Sequence, residues 1–365
     1  MSKSLLEEFS SQWKDLSESR LYFSKTEVES LDSGFNKCRT VLNRVGKLLS
    51  KYPNVVGAGV SLKFKKNQLL RQPCIVVRVT KKIPNLMEGA LPSEINGCPL
   101  DVIETGVMHP ASAFLEPACR LRPGNTINHP QSGTGTIGCL VRERLPLKRS
   151  QELYRTLPQS DILILSCNHV IANYNNAQPG EVLLHPGYSS SGPPQPCAKL
   201  VRYEPLLIPE LGANEIDAAV AKPLVPVNPD RQGRGIPEKL GDANVLDRVF
   251  LVGSTSGHTD EVVLDVDGIS FGSQFGPLGN VDFVHSIITP KMSAAGDSGA
   301  VIVKKDPNIG GSQLVAVGML YGDDRFTQQP PPNLPQSYFN HLRTVLDTLR
   351  VNLVVRTTYP NIIWV

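Results

Sequence analysis

Gly296-Asp297-Ser298-Gly299, preceded by Ser293-Ala294-Ala295 and followed by the apolar run Ala300-Val301-Ile302-Val303, is the stretch from which the rest of the chain is read. A serine hydroxyl is a poor nucleophile near neutral pH unless a base removes its proton and hydrogen-bond donors stabilise the resulting oxyanion. Glycine on both sides lets the backbone turn sharply, so main-chain N–H groups can converge beside the hydroxyl. A serine used in this way requires a histidine and an orienting acid from elsewhere in the chain. Taken alone, a glycine-flanked serine is equally a tight turn.

Both partners are present. His169 lies in Leu165-Ser166-Cys167-Asn168-His169-Val170-Ile171-Ala172, just after an apolar strand pattern. Asp217 lies in Glu215-Ile216-Asp217-Ala218-Ala219-Val220-Ala221, just before another. The order is His, Asp, Ser, with gaps of 48 and 81 residues. Of the three chain orders known for such a triad, this is the one carried by a double β-barrel. Each residue also has a bland reading. Six further histidines occur (His109, His129, His185, His258, His285 and His341), and a lone histidine is usually structural. Asp217 by itself could be a turn residue.

With these three stretches the chain resembles the trypsin-like, chymotrypsin-fold serine peptidases. More narrowly it is similar to bacterial peptidases related to the plant narrow-leaf protease. Further matches are Asn54-Val55-Val56-Gly57-Ala58-Gly59-Val60, the Val-rich strand ending in Lys81-Lys82, Arg122-Pro123-Gly124 and Gly253-Ser254-Thr255-Ser256-Gly257. The resemblance spans roughly residues 54–350.

It implies an endopeptidase with Ser298 as nucleophile. His169 would be general base and then general acid, and Asp217 would hold the imidazole tautomer. The N–H groups of Gly296 and Ser298 would form the oxyanion hole. Met292, six residues before the nucleophile, stands where trypsin has an acid at the base of its specificity pocket. With Ser293 beside it, an apolar pocket for a medium-sized uncharged side chain is expected. Secreted relatives pair a newly cut N-terminus with the aspartate before the nucleophile, here Asp297. No Arg-Ile-Val-Gly-Gly-type stretch precedes the first barrel, so Asp297 is expected to be satisfied internally. Cys139 and Cys167 fall near a disulfide of secreted relatives and are expected here as two buried thiols.

Composition excludes several other classes. An apolar share of 40% with 19% charged residues is that of a soluble globular protein, and thirty Gly with thirty Pro favour strands and turns. A net charge of +3 is too small to argue for nucleic acid, and Lys63-Phe64-Lys65-Lys66 reads as a solvated strand end. There is no run of 18 apolar residues and no signal-peptide pattern, so no membrane is expected. Seven cysteines without CxxC pairs suggest reduced thiols and a cytoplasmic chain. No HExxH or metal-ligand spacing occurs, Gly57-Ala58-Gly59 lacks a third glycine, and no phosphate loop is present. Metal and cofactor are therefore not expected, and the partner expected is a protein or peptide substrate.

The organisation expected is mainly β. Residues 1–52 form an N-terminal helical arm, with Val28, Leu31, Phe35, Cys38, Val41, Leu42, Val45, Leu48 and Leu49 at helical spacing. Residues 53–117 form a small α/β domain, with a helix over Leu86 to Leu91, and about 107–132 link onward. A protease domain covers 118–350, with barrels at about 133–223 and 245–325 joined through the Pro-rich stretch from Pro223 to Pro237. Tyr338 to Leu349 closes it as a helix, and 351–365 is a C-terminal tail. The N-terminal region is a candidate surface for a homo-oligomer or a regulatory partner. That makes a catalytically weak, protease-fold scaffold or adaptor the alternative to an active peptidase; a third reading is a regulatory effector silent until an upstream sensor binds.

Overall fold

The structure, a computed structural model, describes residues 25–52, 54–65, 68–82, 91–105, 108–109, 121–144, 157–158, 162–187, 193–231, 234–306, 313–324, 335–356 and 362–363. Its first element is helix α1 (Lys25–Leu49). Cys38, Val41, Leu42, Val45 and Leu49 recur every three or four residues and are buried, so they form one apolar stripe. That stripe packs on strands β1 (Val55–Lys65), β2 (Gln68–Val79) and β3 (Cys98–Glu104), against Val60, Ile75, Val77, Val79 and Leu100. The helix is thus one layer of the α/β unit, with its apolar face covered by the sheet. Leu48, expected on the same face, is 54% exposed, because the stripe turns past it. The helix expected over Leu86 to Leu91 lies, except for Leu91, outside the described residues.

The first sheet has strands β4 (Cys139–Glu143), β5 (Ile162–Ser166), β6 (Val182–His185), β7 (Gln195–Tyr203) and β8 (Ala219–Pro223). A four-residue helix, α2 (Asn168–Ile171), follows β5. Every residue of β5, Ile-Leu-Ile-Leu-Ser, is buried, as a central strand covered on both faces requires. The second sheet contains β9 (Arg248–Gly253), β10 (Gly257–Val262), β11 (Asp265–Gln274), β12 (Asn280–Pro290), β13 (Val301–Lys305), β14 (Leu314–Asp324) and β15 (Gln336–His341). Helix α3 (Leu342–Thr348) and strand β16 (Val351–Leu353) complete the chain's long elements.

Six strands run in the order β6-β7-β8-β5-β4-β16, and the second sheet runs β10-β9-β13-β14-β15-β12-β11-β1-β2-β3, with two-residue strands bringing it to thirteen. The chain is mainly β, and its described residues form two large sheets, beside two two-stranded ones, where two barrels were expected. Among the described residues neither pairing path closes on itself. Two sequence expectations change here. Tyr338 to His341 are strand, because Ser337 to Asn340 each form rungs with both β12 and β14; the helix begins only at Leu342. The start of the expected C-terminal tail is β16, whose Val351 and Leu353 pair with Glu143 and Val141 of the first sheet.

The N-terminal unit shares the second sheet. β1 pairs with β11 through Gly57↔Ser270 and Ala58↔Ile269. Glycine permits this approach: a Cβ on Gly57 would lie 2.3 Å from the Ile269 carbonyl oxygen, and one on Gly59 would lie 1.3 Å from Asp265 Oδ2. Across the same junction Arg78, 1% exposed, sets its Nη2 3.3 Å from Asp265 Oδ2 and donates from Nε to Gln336 Oε1 at 2.5 Å. Burying both charges costs several kcal/mol per ion, and only mutual pairing plus hydrogen bonds offset it.

Burial pushes the Asp265 carboxyl up to about 6, against the pull of Arg78. A carboxyl whose folded value stands above its unfolded value binds its proton more tightly in the folded chain. Its contribution to stability is therefore full below about pH 4 and is lost as pH rises through about 6. Asp265→Asn removes this titration. Urea unfolding from pH 4 to 7 should show wild type losing stability relative to the variant across that window; a constant gap would show that the pair does not titrate there.

Candidate active site

His169 sits on α2, where the chain leaves the fully buried β5. Asp217 precedes β8, which pairs directly with β5 through Ser166↔Ala219. Neighbouring strands therefore deliver the two side chains from adjacent ends. Nδ1 of His169 contacts Oδ2 of Asp217, and the His169 backbone N–H donates to Oδ1 at 3.1 Å. Asp217 is fully buried, and its own N–H donates to Asn340 Oδ1 at 2.9 Å, while Asn340 Nδ2 donates to the Glu215 carbonyl at 3.1 Å. An asparagine of β15 thus braces an acid of the first sheet. With Nδ1–H directed at the carboxylate, the neutral ring is left with Nε2 as its basic nitrogen.

Polar pegs hold this arrangement. Asn168 Nδ2 donates to Asn175 Oδ1 (2.8 Å) and to the Glu204 carbonyl (2.7 Å), and Asn175 bonds both the N–H and the carbonyl of Leu206. The turn after α2 is thereby bolted to the segment leading into Asp217. Asn173, Tyr174 and Asn175 all have positive φ (49°, 55° and 71°), a run costly for a tyrosine. It sets the Tyr174 ring 5.7 Å from the imidazole. Phe275, fully buried and supplied by the turn between β11 and β12, meets the imidazole edge-on at 5.6 Å. His169 is left 4% exposed, and among the described residues its Nε2 has no hydrogen-bond partner.

Ser298 lies between β12 and β13 in a turn whose Gly296 (φ 112°) and Gly299 (φ 97°) adopt left-handed backbone. Its carbonyl accepts from Thr136 N at 2.7 Å. The Leu320 carbonyl accepts from both Gly299 N (2.7 Å) and Cys167 Sγ (3.2 Å), one residue after the serine and two before the histidine. Gly135 is flanked by Val170 Cγ2 and Ser298 O, which a Cβ there would meet at 2.5 and 2.8 Å. The stretches carrying Ser298 and His169 are therefore packed on one another.

Asp297 is fully buried and takes three backbone donors: Thr255 N (2.8 Å) and Ser256 N (3.2 Å) on Oδ1, and Ala294 N (2.8 Å) on Oδ2. Met292 lies in an apolar cluster with Val249, Leu251, Ile302 and Phe339. Ser293 Oγ bonds Ser337 Oγ (2.8 Å) and Asp323 Oδ2 (3.3 Å), and Lys291 Nζ pairs with Asp323 at 3.1 Å.

Cys167 joins His169 and Asp217 in a buried group whose donor atoms lie within 4.8 Å. Burial holds its thiol well above the ordinary range, so it stays protonated, and Nδ1 and the carboxylate face each other. The Cys167 thiol donates to the Leu320 carbonyl at 3.2 Å. Cys38, Cys74, Cys98, Cys139, Cys167 and Cys197 are free and buried, and Cys119 lies outside the described residues. Among the described residues no helix is long and apolar enough to cross a membrane.

Sequence reasoning missed Asn340, Tyr174, Phe275 and Asp323, and gave Thr255, inside the matching Gly253 to Gly257 stretch, no role. The Asn173-Tyr174-Asn175 run signals a turn near the histidine, and Asp323-Asp324 at a strand end signals a buried acid. Nothing marks Asn340 or Phe275.

No protein-family model matches the chain, and no curated protein matches it. Among solved structures it is similar to protease A of Thermobifida fusca and to the chymotrypsin of Cellulomonas bogoriensis. Each is 16% identical over 65% of this chain and 99% of that one, with a TM-score of 0.41. A glutamic acid-specific serine protease is similar at 15% identity, over 64% of this chain and all of its own, with a TM-score of 0.39.

Two glycines of nearly equal φ separate strain from collision. At Gly299 a Cβ would lie 2.3 Å from the Thr136 carbonyl oxygen, whereas at Gly180 (φ 96°) it would meet nothing within 4 Å. Gly180→Ala should cost only the strain of a left-handed residue, about 1–2 kcal/mol. Gly299→Ala adds overpacking, about 2–5 kcal/mol in all. Denaturant unfolding of the two variants checks the difference.

Proposed function

We propose that the chain is a serine endopeptidase of the trypsin-like fold, cleaving protein or peptide substrates through an acyl-enzyme. The observation that carries this reading is the buried His169–Asp217 contact, on a stretch whose Ser166 lies beside Gly299 of the glycine-flanked Ser298 turn. Ser298 Oγ attacks the scissile carbonyl as Nε2 of His169 takes its proton, and the imidazolium formed is stabilised by Asp217. The proton then passes to the leaving amine, and water hydrolyses the ester by the same route in reverse. Gly296 and Ser298 N–H groups serve as oxyanion donors. The two sheets are read as the two barrels of this fold, in a cytoplasmic enzyme resembling the narrow-leaf relatives.

The internal satisfaction of Asp297 by three N–H groups supports activity without a newly cut N-terminus. A fluorophosphonate probe should label the uncut chain at Ser298. Ser298→Ala should abolish labelling, and His169→Ala or Asp217→Asn should lower turnover by about 10⁴-fold or more. Labelling that appears only after cleavage near Gly133, or that survives in Ser298→Ala, would sink the proposal.

We read Met292, buried in an apolar cluster, and Asp323, ion-paired with Lys291, as the surroundings of the specificity pocket. An unpaired substrate cation would meet no free acid there, so uncharged side chains of medium size are favoured. Proteome-digest cleavage profiling should show that preference; cleavage dominated by Lys and Arg would refute it.

One observation favours the alternative of a catalytically weak scaffold or adaptor acting through the N-terminal region. Nε2 of His169 is buried without a partner among the described residues. A wild-type chain that resists the probe would select that reading.

A further inference from the structure

We infer that the tip of the β9–β10 hairpin, and Thr255 above all, is a positioning device that aims the backbone donors beside Ser298. The inference rests on the peptidase reading and names residues that the triad does not include. Its basis is the planarity of the peptide unit, in which the carbonyl and the following N–H point in opposite directions. Anchoring a carbonyl therefore aims the N–H attached to it.

Three successive carbonyls in the nucleophile turn are anchored. The Ala295 carbonyl accepts from Thr255 Oγ1 at 2.9 Å, which turns the Gly296 N–H away from the hairpin. The Gly296 carbonyl accepts from Thr136 Oγ1 (2.6 Å) and Ser254 Oγ (2.8 Å), which sends the Asp297 N–H the other way, to the Ala294 carbonyl at 3.0 Å. The Asp297 carbonyl accepts from Ala300 N at 2.8 Å, which turns the Ser298 N–H outward from the turn. Two of these three carbonyls are held, one of them jointly with Thr136, by hydroxyls of the hairpin tip.

The same tip holds the Asp297 side chain through the N–H groups of Thr255 and Ser256. Gly253 lies against that carboxylate, where a Cβ would come within 2.1 Å of Oδ1, so the tip has no room for a larger residue. Ser254 N in turn donates to Thr136 Oγ1 at 3.1 Å, tying the hairpin to a residue outside it. The tip therefore holds the turn at two carbonyls and one carboxylate, and a single rotation of the 295–296 peptide would withdraw the Gly296 donor. Among the described residues, the Thr255 hydroxyl is what opposes that rotation from the carbonyl side.

Thr255 is exposed, so its side chain can be changed with little effect on the core. Thr255→Val keeps the shape and removes the hydroxyl; Thr255→Ser keeps the hydroxyl. Loss of one oxyanion donor lowers kcat by about 10²–10³, and an unanchored donor should retain part of its effect. With a p-nitrophenyl ester as substrate, Thr255→Val should lower kcat by about 10- to 100-fold with KM within about threefold, and slow fluorophosphonate labelling in parallel. Thr255→Ser should restore both, and the melting temperatures of the two variants should match. An active, labelled wild type whose Thr255→Val variant turns over within about twofold overturns this inference alone. A wild type that shows no labelling at Ser298 overturns the peptidase reading and this inference with it.

Discussion

A carboxylate removed from water must find a donor on every side, and Asp217 is the point where that demand organises the molecule. It is fully buried and takes the backbone N–H and the ring nitrogen of His169, while its own N–H is held by Asn340. These contacts tie α2, the lead-in to β8 and the central strand β15 to one group of atoms. The histidine has little freedom left: its main chain and its ring answer to the same acid, and Tyr174 and Phe275 pack about its ring. Truncating Asn340 or Asp217 would leave a buried polar group unpaired, which costs more than the bond itself contributes.

The second buried carboxylate, Asp297, solves the same problem differently. It uses no cation among its described donors and takes three backbone N–H groups, two of them from a hairpin tip. Backbone donors add no side-chain rotamer entropy to the cost of making the contact. The turn that carries Ser298 is consequently held from within the folded chain. The third, Asp265, is paired with Arg78 from the N-terminal unit, and Gly57 and Gly59 let β1 approach closely enough for that pairing. The N-terminal unit is thus continuous with the second sheet through both hydrogen-bonded rungs and a buried ion pair.

How much was legible in advance depended on the range of the interaction. Period and punctuation are local, so α1, β5, β8 and β13 could be read from apolar spacing, and Gly296 and Gly299 from the backbone a sharp turn needs. Tyr338 to His341 misled for a physical reason. A short apolar run with aromatics satisfies helical spacing and a doubly covered strand alike, and pairing with β12 and β14 decided between them. Val351 to Leu353 carried no signal of its own, because its partner in β4 lies some two hundred residues earlier.

From residue types and order alone came the mainly β character, the three chemically meaningful stretches and the absence of nucleotide-loop and metal-ligand spacing. Those depend on side-chain chemistry and on neighbours along the chain. Tertiary structure alone decided that Asn340 braces Asp217, that Phe275 meets the imidazole, that the hairpin tip holds the Ser298 turn, and that β1, with α1 packed on it, belongs to a sheet shared with the second half. Each of these joins groups far apart in sequence whose pairing is set by burial and by the geometry of hydrogen bonds, and neither is written in any single stretch of residues.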